Sequence, residues 1–174
     1  SWNRGRRQGL LPGELELLVE LAADEDDSVR ASVGRAVFTI AQSDQASAVA
    51  LLSNIEFRGN GKVASEALSA LTQQGPLTWA DTDAALQRAV LDQLVHCMKI
   101  DEHAVASVLS DLSLTDPVAV TQMLMARVDR AADVGGFEYE ALPQYWEQPL
   151  QVKETGLLSQ CLVMIRDWLA DNSP

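Results

Sequence analysis

Moving the sequence 34 residues along itself lays one set of apolar positions on another. Leu18 falls on Leu52, Leu21 on Ile55, Val29 on Val63, Val33 on Ala67, Ala36 on Ala70 and Val37 on Leu71. A period of that length marks a stacked supersecondary unit, because one such unit cannot hide its apolar face alone. Within each unit the apolar residues recur every three or four positions, stop at a short polar turn, and recur again. That pattern predicts a helix, a turn and a second helix. A shift of 42 residues from the second unit gives a weaker third match at Leu94, Cys97, Val105 and Leu109, so the period between units varies.

The rest of the chain carries the same helical spacing, and no stretch alternates with period two. About seven to eight helices are expected, near 13–23, 28–42, 45–57, 62–74, 81–98, 102–112, 117–133 and 153–170. Pro12-Gly13, Ser43-Asp44, Gly59-Asn60-Gly61 and Gly75-Pro76 separate the early ones. Thr78 or Asp81 is the expected cap of the fifth. Thr115-Asp116-Pro117 starts another, with proline at its first position. At 174 residues this is one domain, spanning 13–174, preceded by a basic arm or linker over 1–12 that carries Arg4, Arg6 and Arg7.

The stretch LAADEDDSVRASVGRAV, residues 21–37, resembles the signature of HEAT repeats. Asp24 matches that family's turn aspartate and Val29-Arg30 its Val-Arg pair. The resemblance implies an α-α superhelix of stacked antiparallel helix hairpins, armadillo-like in outline, with an Asp–Arg ladder between neighbouring turns. The residues themselves give local reasons for such a turn. Asp26, Asp27 or Ser28 suits the cap of the second helix, whose dipole favours nearby carboxylates. Arg30 offers several donors to the oxygens crowded around it. The second unit departs from the signature: Asn60-Gly61-Lys62-Val63-Ala64 has no aspartate, and no arginine follows the valine.

Charge narrows the function classes. From residue 11 onward the chain carries 10 basic and 25 acidic residues, a balance that repels phosphate backbones and argues against nucleic-acid binding. No apolar run reaches the roughly 18–20 residues of a membrane helix, so no membrane association is expected. Arginine outnumbers lysine ten to three, a usage that suggests a GC-rich genome. Cys97 and Cys161 each stand alone in an apolar helical pattern and read as buried thiols of a cytoplasmic protein.

Chemistry-bearing patterns are sparse. His96, Cys97 and His103 lie close in sequence but beside an expected turn, short of the three or four converging ligands that a metal needs. Ser107, Ser110 and Ser113 have no nearby base. We expect no catalytic residue, no metal and no cofactor. Glu14, Glu16 and Glu20 line the polar side of the first helix, as a solvated face or as an acidic ridge for a basic partner.

The segment GGFEYEALPQYWEQPL, residues 135–150, is an irregular loop, because Gly135-Gly136, Pro143 and Pro149 prevent one continuous helix. Phe137, Tyr139, Tyr145 and Trp146 gather four of the chain's nine aromatics there. Either they seal the last apolar face of the stack, or Tyr139, Tyr145 and Trp146, flanked by Glu138 and Glu140, anchor a partner. A final helix over 153–171, with Leu157, Leu158, Cys161, Leu162, Ile165, Trp168 and Leu169 along one side, is the expected cap, and a face that wide could instead dock on another domain.

These readings converge on a non-catalytic protein–protein interaction or scaffold module within a larger multidomain bacterial protein. Its expected partner is another protein or other domains of the same polypeptide, with a basic surface favoured. The alternative is a HEAT-like DNA glycosylase, for which Trp79 beside Asp81 stands against the acidic charge of the chain.

Overall fold

The computed structural model describes residues 10–59, 61–79, 82–100, 102–134, 139–143 and 152–172. Among them the chain is all-α, with eight α-helices and no strand. They are α1 (Glu14–Leu21), α2 (Asp27–Ala41), α3 (Gln45–Leu52), α4 (Gly61–Leu68), α5 (Ala84–His96), α6 (His103–Thr115), α7 (Pro117–Val134) and α8 (Thr155–Asp171). A 3-10 turn, Ser69–Leu71, prolongs α4.

Short carboxylates fix where helices begin. Asp26 accepts the Ser28 N–H at the start of α2, and Asp44 accepts the Ser47 N–H at the start of α3. The cap of α5 is Asp83, which takes the Leu86 N–H at 2.8 Å. The expected caps Thr78 and Asp81 are therefore displaced by a residue closer to the apolar run, and Asp81 itself lies outside the described residues. Pro117 opens α7, and Asp116 accepts the Ala119 N–H there at 3.0 Å.

Helix α2 lies against α3 and α4, and α4 lies against α6, so the second helices of successive units are in consecutive contact. On the other side α1 touches α3, α5 packs on α7, and α7 packs on α8. The backbones of α2 and α4 approach closely: a Cβ added at Gly34 would stand 2.8 Å from the Ala67 amide nitrogen. Glycine in mid-helix weakens a helix by about 1 kcal/mol relative to alanine. Here it lets two helices meet backbone to backbone.

The superposed positions form the core. Leu52, Ile55, Val63, Ala67, Ala70 and Leu71 of the second unit are buried, as are Leu94, Cys97, Val105 and Leu109 further on. Their first-unit counterparts Leu18, Leu21, Val29 and Ala36 are half-buried. Val33 and Val37, the other two, are buried.

Helix α3 is shorter than the apolar periodicity predicts. It stops at Leu52, and residues 55–58 run without helical structure even though Ile55 and Phe57 are fully buried. Tertiary hydrogen bonds hold this run: the Glu56 N–H donates to the Ala22 carbonyl, and the Phe57 N–H donates to Gln93 Oε1. Gly59 ends it at φ 89°, a left-handed conformation suited to glycine, and its carbonyl accepts the Met98 N–H at 2.8 Å.

Candidate functional site

The polar turn between α1 and α2 is organised by Arg30, one turn inside α2 and 1 % exposed. Its Nε donates to the Glu56 carbonyl at 3.0 Å, and Nη2 donates to the Arg58 carbonyl at 2.8 Å. The Asp24 carbonyl and the Asp27 carboxylate complete its acceptor set. One guanidinium therefore ties the turn between α1 and α2 to the run that leaves α3. The contacts differ in kind from those of the family resemblance. Asp24 acts through its main-chain oxygen, while its carboxylate takes the Asp26 N–H at 2.8 Å. Val29 is half-buried beside it, and Arg58 reaches back to the Ala23 and Asp24 carbonyls.

A second buried arginine does the same work in the other half, and sequence reasoning missed it. Arg127 of α7 is 0 % exposed. It donates to the carbonyls of Leu94 and Cys97 at the end of α5, and to those of Glu140 and Ala141 at 2.6 and 2.8 Å. Its guanidinium carbon lies 4.8 Å from the Tyr139 ring centroid, within cation–π range. Arg127 was detectable. Val120, Met123 and Arg127 fall at i, i+3 and i+7 on one stripe of α7, where an arginine needs an internal set of acceptors.

Tyr139 and Glu140, expected as partner contacts, are committed internally. Tyr139 is 7 % exposed, its hydroxyl donates to the Val95 carbonyl at 2.8 Å, and burial pushes its phenol above the ordinary range. Glu140 pairs with Lys99 at 2.6 Å, and its N–H donates to the Met98 carbonyl. The Tyr139 ring lies over Arg127 at the end of α5. Glu138, Tyr145 and Trp146 lie outside the described residues, as do Arg4, Arg6 and Arg7 of the basic arm.

The remaining chemistry-bearing residues are scattered. His96 and His103 are exposed at helix ends, while Cys97 is buried with its thiol 2.9 Å from the Lys99 carbonyl. Burial pushes that thiol up to about 11. Among the described residues no three His, Cys, Asp or Glu side chains gather as a metal site. Trp79 belongs to the core and is 7 % exposed. A cavity of about 460 Å³ between α1 and α2 is lined by Leu10, Glu14, Leu17, Leu18 and Ile40.

Helix α8 divides its apolar residues between two strips. One strip of it, Leu157, Cys161, Met164 and Trp168, is buried or half-buried, and Trp168 Nε1 donates to Asp129 of α7 at 2.9 Å. On the adjoining strip Leu158, Leu162 and Leu169 are 39 %, 57 % and 51 % exposed, and Ile165 is half-buried. Helix α8 caps α7 and leaves a second apolar stripe outward. Among the described residues no helix is long and apolar enough to cross a membrane. No family model, no curated protein and no solved structure matches the chain.

Proposed function

We propose that this chain is a non-catalytic protein–protein interaction or scaffold module of HEAT-like helical hairpins, acting within a larger multidomain bacterial protein. The observation that carries the reading is the outward stripe of α8, where large apolar side chains stand in solvent next to a well-covered core. A formal charge of −12 favours a partner that presents basic residues around an apolar strip. The buried arginines support the same reading, since Arg30 and Arg127 direct their donors to main-chain carbonyls of adjoining loops.

The test is affinity capture from the source cell, with the 174-residue chain and a Leu162→Glu, Leu169→Glu variant as parallel baits. The reading predicts a protein retained by the first bait and lost from the second, with both baits equally helical by circular dichroism. Retention of no protein, or equal retention by both, overturns it.

A further inference from the structure

We draw no further inference here: the strongest candidate, the cavity of about 460 Å³ between α1 and α2 with Leu17, Leu18 and Ile40 in its wall, is an open apolar face, and nothing in the structure shows what covers it.

Discussion

Replacing Arg127 by methionine keeps most of the aliphatic stem and removes every donor. Four main-chain carbonyls then lose a charged partner: Leu94, Cys97, Glu140 and Ala141. At about 1.5–3 kcal/mol for each hydrogen bond to a charged group, the gross loss is roughly 6–12 kcal/mol. Two effects reduce it. The Leu94 carbonyl still accepts the Cys97 N–H, and those of Glu140 and Ala141 belong to half-buried residues within reach of water. Removing a buried guanidinium also relieves a desolvation cost of several kcal/mol. The net destabilisation is about 3–5 kcal/mol, read from urea unfolding followed by circular dichroism. Arg127→Lys keeps the charge, but one ammonium cannot span acceptors on two separate segments, so at least about half of that loss is expected. The exposed Arg88→Met serves as control and stays within about 0.5 kcal/mol of wild type. In the Arg127→Met protein the Glu140 amide, bonded to the Met98 carbonyl, should exchange with solvent faster than in wild type. A stability loss below about 1 kcal/mol would refute the reasoning, because the carbonyls would then not depend on the guanidinium.

Gly34→Ala gains helix propensity yet places a methyl group 2.8 Å from a backbone nitrogen of α4, so it should destabilise by about 1–3 kcal/mol in the same urea assay; a stabilised variant contradicts the close approach. Cys97 and Cys161 are both buried, and burial pushes the Cys97 thiol up to about 11, so a maleimide at pH 8 should label neither in the folded chain and both in urea. Rapid labelling of either cysteine without denaturant counts against the packing of α5 or α8. Asp44 is held below its ordinary 3.8 by the Ser47 N–H, so its stabilisation is complete above 3.8 and fades as pH falls through the lower folded value. Asn in its place keeps the cap but does not titrate, so Asp44→Asn should flatten that part of the acid limb of stability against pH, and an unchanged limb rejects the assignment.

Local signals in the sequence located the helices well. Pro117, Asp44 and the turn after Leu21 each act through bonds made within a few residues, so a linear reading reaches them. The end of α3 was hidden for the opposite reason. Ile55 continues the apolar periodicity of Leu51 and Leu52, and the chain leaves the helix because distant partners, Arg30, Ala22 and Gln93, take up its backbone groups. Arg30 was legible as a turn residue through its neighbours, while its reach to Glu56 and Arg58 was not. Tyr139 looked equally suited to a core or an interface, since an aromatic ring with a hydroxyl serves both. The choice was made by Arg127 and the Val95 carbonyl, separated from it by 12 and 44 residues. The exposed stripe of α8 was counted as one face with the buried strip, because two seams one residue apart merge in a helical projection.

The proposition beneath the whole account is that the second helices of successive units lie side by side, with α2 resting on α4. A nuclear Overhauser spectrum tests it at one pair of residues. Gly34 leaves no side chain between the two backbones, so its α-protons are predicted to give a strong cross-peak to the amide proton of Ala67 or to its Hα. An assigned spectrum in which Gly34 shows cross-peaks to its own helix alone would contradict it.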